Sequence, residues 1–498
     1  MEFMHLSNTL LDRLPASVAG PRYDRSRVRT GIVHVGVGNF HRSHQAWYTQ
    51  QLLNLGHLDW GICGICLLEG DREFHRRLKA QDGLYTLVRK ESDGSEGVEV
   101  IGSLVDCLFA PDDPAAVIAA LAAPEAKIVS LTVTEGGYNM DSATGEFLFE
   151  APGISRDLAH PDDPRTLFGY LTAALGRRMD EGRPGLTIQS CDNLVHNGDV
   201  CRTMLLSYVE KARPELAEWI RSEVTFPNSM VDRITPAAPP STGPDLEAAH
   251  GIRDLCPVVA EPFSQWIIED RFSRGRPPWE VAGAQFVSRV DPYEHMKIGL
   301  LNAGHSLLGF SGSLLGYQTI DEAVADPRLA AFLRAFMEEE VTPQLGEVEG
   351  IDLNEYKDTL LHRFANPFMG DRLSRICSES SAKIPKFLLP TLRGQVEGNG
   401  SFHRSAWVLA AWCRYLDLAE REGREDQIQD QMRAGLLEAA RRSREVPRAF
   451  LELTPVFGDL ARFPPVVAAF EQSLRNLRQR GVWDSLSLAN GNKEENRP

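Results

Sequence analysis

No apolar run in this chain approaches the length of about 18 residues that a membrane-spanning helix needs, so a helical membrane protein is excluded. The N-terminal stretch MEFMHLSNTLLDRL lacks a basic segment followed by an apolar core, and no secretory leader is expected. Positive charge is also in short supply: 53 Lys and Arg stand against 69 Asp and Glu, a net charge of −16. That balance argues against nucleic acid or an anionic membrane surface as partner. Cysteine is sparse and unpatterned, eight residues in all, as in thiols of a reducing compartment, and a cytoplasmic location is expected. Cys63-Gly-Ile-Cys66 is a lone CxxC inside an apolar run. On a strand its two cysteines face opposite ways, so both read as packing residues. No HExxH and no His/Cys pair at zinc spacing accompanies them, and no metal site is expected.

What is present is a chain of 498 residues, more than one hydrophobic core usually supports, so two or more domains are expected. Residues 31–38 (GIVHVGVG) form a β-branched run ending in glycines. Asn39-Phe40-His41-Arg42-Ser43-His44 then leads into a helical pattern through Leu53. Strand, glycine turn and helix in that order begin a dinucleotide-binding unit. Gly36 allows the tight turn, and Gly38 lets backbone approach a pyrophosphate at the helix start. The third glycine of the usual fingerprint is missing, since His41 stands there, and an ordinary strand–helix turn suits the pattern as well. A second strand from Trp60 to Leu68 ends at Glu69-Gly70-Asp71-Arg72. An acid at this tip accepts hydrogen bonds from ribose hydroxyls and repels a 2′-phosphate. NAD is therefore expected over NADP, with Glu69 the first candidate and Asp71 the second. Arg72 argues the other way, and an exposed loop acid is the plainer alternative.

Further strand-like runs at Tyr85–Lys90, Val98–Leu108, Lys127–Thr134 and Leu186–Ser190 alternate in part with helical patterns at 113–123 and 163–180, which predicts an α/β sheet. Ligands of such sheets bind beyond the carboxyl ends of the strands, which marks Thr134–Tyr138 and Cys191-Asp192-Asn193. Residues 236–249 are Pro-rich and read as a surface loop, and the block FPNSMVDRITP reads as a Pro-bounded turn with Asp232 paired to Arg233. After Arg289 helical patterns dominate, at 292–318, 321–342, 404–423, 426–445 and 464–482. The expected division is an α/β domain over 1–287 and a mainly helical domain over 288–498. Residues 372–386 read as an irregular basic loop and the polar tail NGNKEENRP as disordered.

Asp291-Pro292-Tyr293-Glu294 reads as a helix start, with Asp291 the cap and Glu294 its reciprocal partner. On an α-helix Lys297, Ile298, Asn302 and His305 share an arc of about 140°, with Leu300, Ala303, Leu307 and Phe310 apolar elsewhere. Burial and the helix dipole should hold the Lys297 amine below the pKa of a free lysine and fit it to act as a base. A core helix with three satisfied polar residues fits the same spacing.

Lys297-x4-Asn302-x2-His305, set in YEHMKIGLLNAGHS, resembles the signature of the polyol-specific long-chain dehydrogenases, the mannitol 2-dehydrogenase family. Blocks from Gly31 to about Lys386 share the resemblance, including GxGxFHR-x-H over Gly36, Gly38, Phe40 and His41. The resemblance implies a Rossmann-like NAD-binding domain and a helical substrate domain with the site in the cleft between them. It implies Asn193 as a substrate or lysine contact, Asp232, Arg375 and Lys383 as substrate ligands, and Glu294 as a proton relay. The reaction it implies is zinc-independent transfer of hydride between NAD and a sugar alcohol, D-mannitol and D-fructose first. Lys297 is the base; Asn302, His305 and Asn193 polarise the oxygen. D-arabinitol, fructuronate and tagaturonate are the neighbouring substrates. A nucleotide-binding regulator would have little reason to keep Lys297, Asn302 and His305 together. The partners expected are a small polyol or ketose, in a monomer or small homo-oligomer.

Overall fold

The computed structural model describes residues 4–141 and 144–489. The β-branched runs of the first half form a sheet of five parallel strands: β1 (Thr30–Val35), β2 (Gly61–Cys66), β3 (Leu104–Phe109), β4 (Ile128–Leu131) and β5 (Thr187–Ser190). Their spatial order is β3-β2-β1-β4-β5, so the chain reverses direction across the sheet between β1 and β4. Both faces are covered, as a parallel sheet requires. Val33, Val35, Ile65, Val129 and Ile188 pack one face against Phe168, Leu171 and Tyr208. Ile32, Ile62, Cys66, Leu104 and Ile128 pack the other against Leu52, Trp266 and Trp279. All eight cysteines are buried thiols.

Two compact units are present, Met1–Asp291 and Pro292–Pro498. The first is the α/β unit. Besides the central sheet it holds a four-stranded sheet built on Tyr85–Lys90 and Glu96–Ile101, and a three-stranded sheet containing Ser229–Asp232, Gln265–Glu269 and Gln285–Val287. The expected strand 98–108 is thus two strands in different sheets, split where Gly102 turns the chain. The expected loop at 236–249 carries the helix Thr242–His250, whose Pro244 lies in the first turn, where a missing N–H costs nothing. The FPNSMVDRITP block contains a strand rather than a simple turn, and Arg233 bonds to backbone. Its guanidinium donates to the carbonyls of Glu261 (3.0 Å) and Ser43 (2.5 Å).

The second unit is helical, with no strand among its described residues. Its long helix His403–Arg421 is buried along most of its length, with Trp407 against Phe332 and Trp412 against Phe310 and Phe450. The pattern at 321–342 is broken at Asp326-Pro327, where Asp326 caps a new helix (Pro327–Phe336). The expected basic loop at 372–386 is instead two short helices, Leu373–Ile376 and Ser380–Phe387, the second ending soon after Pro385. The tail Asn490–Pro498 lies outside the described residues. No described helix is long and apolar enough to cross a membrane.

Candidate active site

The glycine turn after β1 is closed by contacts that leave no room for a side chain. Gly36 has φ +96°, and a Cβ there would stand 2.1 Å from the Thr132 carbonyl oxygen. Its own carbonyl accepts from the Thr132 hydroxyl (2.6 Å), with His34 Nε2 at 3.0 Å, so the tips of β1 and β4 are tied together. Burial pushes the His34 imidazole down to about 3, so the ring is neutral. Gly38 precedes the helix Asn39–Ser43, and a Cβ there would meet only the Gly36 carbonyl oxygen, at 4.0 Å: the space above this turn is open. The helix breaks at His44 before resuming as Gln45–Asn54. Phe40 stacks on His44 at 4.9 Å. His41 is buried and stacked on His34 at 3.4 Å, so its ring lies beneath the turn rather than on its surface.

Beyond β2, Glu69 is exposed and grips Arg72 with both carboxylate oxygens (2.6 and 3.1 Å), which holds its carboxyl below the usual range. Asp71 accepts from the Leu68 backbone N–H (3.1 Å) and so shapes the same turn. At the other tips, Asn193 is exposed just beyond β5. Its buried neighbour Asp192, marked in the sequence only as part of that strand tip, accepts from the N–H groups of Val133 (3.0 Å) and Thr134 (2.8 Å) and from the Tyr138 hydroxyl (2.7 Å). Thr134 has φ +63°, a costly conformation for a β-branched residue, and Asp192 holds it there. Asp232 ends the strand Ser229–Asp232 and is buried. The sequence held one signal for Asp192, an acid at a strand tip; nothing local marked His34.

A helical run extends from Asp291, at the end of the first unit, to Leu315 in the second, and its middle departs from the α-geometry expected for it. Lys297–Asn302 is a π-helical turn, with the Ala303 N–H reaching back five residues to the Ile298 carbonyl. Such turns recur at functional sites because they re-aim side chains within a continuous helix. Gly299 explains the close fit, since a Cβ there would lie 2.6 Å from Val341 Cγ1. Val341 ends a second π-helical turn, Met337–Val341. Asp291 is itself the first helical residue, and its carboxylate accepts from Arg289 (3.2 Å). Lys297 and Glu294 are buried, 7% and 4% exposed. Asn302 has an amide oxygen with no hydrogen-bond partner among the described residues, and the His305 ring lies tilted on Phe364 at 4.6 Å. One helical run therefore carries Glu294, Lys297, Asn302 and His305.

Arg375 is exposed and paired bidentately with the buried carboxylate of Asp371 (2.7 and 2.5 Å). Lys383 donates to the carbonyls of Arg375 (3.3 Å) and Ile376 (3.2 Å), and burial followed by the nearby Arg375 lowers its pKa. Among the described residues no three His, Cys, Asp or Glu side chains converge as metal ligands.

A parallel sheet in dinucleotide-binding order with a glycine turn, followed by a helical unit with a buried lysine, defines a dehydrogenase of the two-unit Rossmann type. The chain belongs to the mannitol dehydrogenase family. The family's Rossmann-domain model matches residues 30–281 and its C-terminal-domain model residues 289–478. Mannitol dehydrogenase 2 of Saccharomyces cerevisiae is 43% identical over 465 residues, covering 93% of this chain and 92% of that protein. Mannitol 2-dehydrogenase of Aspergillus fumigatus is 45% identical over 451 residues, 89% of this chain and 90% of that one. The structure of Pseudomonas fluorescens mannitol 2-dehydrogenase in ternary complex with NAD and D-mannitol matches with a TM-score of 0.86 and 43% identity, over 98% of this chain and 100% of that one. A substrate-free D-sorbitol dehydrogenase matches with a TM-score of 0.89 and 38% identity, over 97% and 100% of the two chains.

Proposed function

We propose that this protein interconverts D-mannitol and D-fructose with NAD, using Lys297 as the base. The observation that carries the reading is the match over nearly the whole chain to a mannitol 2-dehydrogenase described with NAD and D-mannitol. The residues present fit the cofactor. Gly36 supplies a turn that admits no Cβ, Gly38 leaves open space above it, and Glu69 offers a carboxylate to ribose hydroxyls. Asp71 supports the β2 tip through Leu68; His41 packs beneath the glycine turn against His34, and Phe40 stacks on His44 in the adjoining helix. NAD, when bound, accepts the hydride from the alcohol carbon.

The rest is the work of the chain. Lys297 in its neutral form takes the hydroxyl proton during oxidation and returns it during reduction. Asn302, His305 and Asn193 orient the substrate oxygen and stabilise the charge it gains. Glu294, one turn before the lysine, passes the proton onward. Asp232, Arg375 and Lys383 bind the remaining hydroxyls.

Arg375 also bears on the competing uronates. Its charge is already matched by Asp371, which weakens its appeal to a substrate carboxylate, whereas Lys383 bonds two carbonyls and keeps a third N–H donor for a substrate oxygen. The Arg375–Asp371 pair favours a neutral sugar. The similarity to a D-sorbitol dehydrogenase supports a second reading within the neutral class, since sorbitol and mannitol are C2 epimers that share fructose as ketose. The deciding experiment is NADH oxidation with D-fructose, xylulose, fructuronate and tagaturonate in parallel, followed by identification of the hexitol formed. D-Fructose should give the highest kcat/KM and mannitol the product. Fructuronate ahead of fructose would overturn the reading, and sorbitol as product would shift it to the epimer.

A further inference from the structure

Arg72 stands at the tip of β2, where an arginine would be expected to recognise a 2′-phosphate and admit NADP. Most of its guanidinium is committed elsewhere. Nε and one terminal nitrogen donate to Glu69 (2.6 and 3.1 Å), and the two terminal nitrogens donate to Asp112 (3.1 and 2.9 Å). Both forks that could grip a phosphate are thus occupied by carboxylates, and four of the five N–H donors are used. The guanidinium also lies over the Phe109 ring, 4.6 Å from its centroid. Asp112 comes from the loop after β3, so the clamp spans two strand tips. Asp113 beside it has the separate task of capping the next helix (Pro114–Ala122).

We propose that Asp112 is a positioning residue for cofactor choice: with Glu69 it holds Arg72 away from the 2′-phosphate position and leaves the tip with excess negative charge. The proposal rests on reading this tip as the adenosine-ribose site of an NAD-dependent enzyme. Two carboxylates against one guanidinium leave the cluster at −1, which a doubly charged 2′-phosphate meets as repulsion. Without Asp112 the charge is balanced and the fork of the two terminal nitrogens is free. One substitution therefore removes a repulsion and releases a ligand. Asp112 is exposed, with 61% of its side chain open to solvent, so the fold does not depend on it.

The test compares wild type, Asp112→Ala, Asp112→Glu and the double variant Asp112→Ala/Arg72→Ala. Binding of NADH and NADPH is measured by fluorescence titration without polyol, and kcat/KM for NAD and NADP with it. Asp112→Ala should raise the ratio of NADPH to NADH affinity by about tenfold or more, as a charge-assisted contact implies. The gain should shrink at high salt. Asp112→Glu should stay close to wild type, and the double variant should lose most of the gain. An unchanged ratio in Asp112→Ala overturns the proposal, as does a gain that survives removal of Arg72. Because binding is read without substrate, the result stands apart from whether fructose is reduced. A protein that binds both nucleotides but turns over no polyol would refute the proposed reaction and leave the clamp intact.

Discussion

Gly299→Ala isolates the packing of the π-helical turn from its chemistry. The added methyl would lie 2.6 Å from Val341 Cγ1, in a place where Val341 is fully enclosed, so helix or neighbour must shift by most of an ångström. Two energies oppose each other. Overpacking a tight interior costs about 1–3 kcal/mol, whereas alanine in place of a helical glycine returns about 1 kcal/mol. Stability should therefore fall by no more than about 2 kcal/mol. Activity should suffer more, because displacement of a catalytic group by about 1 Å can cost about 100-fold in rate. The assay is kcat/KM for fructose reduction beside the unfolding midpoint and the affinity for NADH. The expected pattern is a rate loss of about tenfold to 100-fold, with NADH affinity unchanged, since Gly36 and Glu69 belong to the other unit. Val341→Ala in the same chain removes the clashing methyl and should recover much of the rate. Wild-type kcat/KM in Gly299→Ala would refute the reasoning, for the turn would then not be setting the position of Lys297.

Lys297→Ala should lower kcat/KM in both directions by about 10²–10⁴, the usual worth of a positioned acid–base group. In the wild type, polyol oxidation should rise with pH and ketose reduction fall; a variant with normal turnover and pH profile would move the base elsewhere, to His305 first. Exhaustive chelation should leave activity intact if the proposed lysine base takes the proton; stoichiometric zinc whose removal abolishes turnover would overturn that mechanism. Glu340, buried and bonded to the N–H groups of Arg404 and Ser405 and to the Ser405 hydroxyl, has its carboxyl raised to about 7 by burial. Raised above its unfolded value, it favours the fold fully below about pH 4.5, and that contribution, about 3 kcal/mol, is lost as pH rises through 7. Unfolding midpoints at pH 5 and pH 8 should therefore converge in Glu340→Gln relative to wild type, and equal pH dependence in the two proteins would reject the assignment.

How much of the fold could be read in advance depended on whether a local pattern had a single physical cause. The β-branched runs ending in glycine or an acid became β1, β2, β4 and β5, because each must bury both faces and then turn. The residues at 98–108 misled because two strands serving different sheets are separated only by Gly102 and Ser103. Proline misled at 236–249, where Pro244 lies in the first turn of a helix although the cluster looks like a loop; at 372–386 the basic, irregular composition misled, and a helix there holds Pro385. Composition describes the residues of a turn, whereas position within the first or last turn of a helix decides whether proline is tolerated.

The candidate residues could be listed from the sequence, but their geometry could not. Lys297, Asn302 and His305 were picked out on the assumption of about 100° per residue, but the chain between Lys297 and Asn302 winds as a π-turn. Nothing within YEHMKIGLLNAGHS announces that departure. The residue that closes on the turn lies some forty residues downstream, where Val341 packs on Gly299. The same holds at the cofactor tip, where Arg72 read as an argument for NADP. Its meaning reverses only when Asp112, forty residues away, is seen to share the guanidinium with Glu69. In both places the residue could be named from the sequence, whereas its surroundings depend on a distant partner. Substitutions at those partners, Val341 and Asp112, are therefore the ones that separate a site built by its fold from a motif that would work in any helix or strand tip.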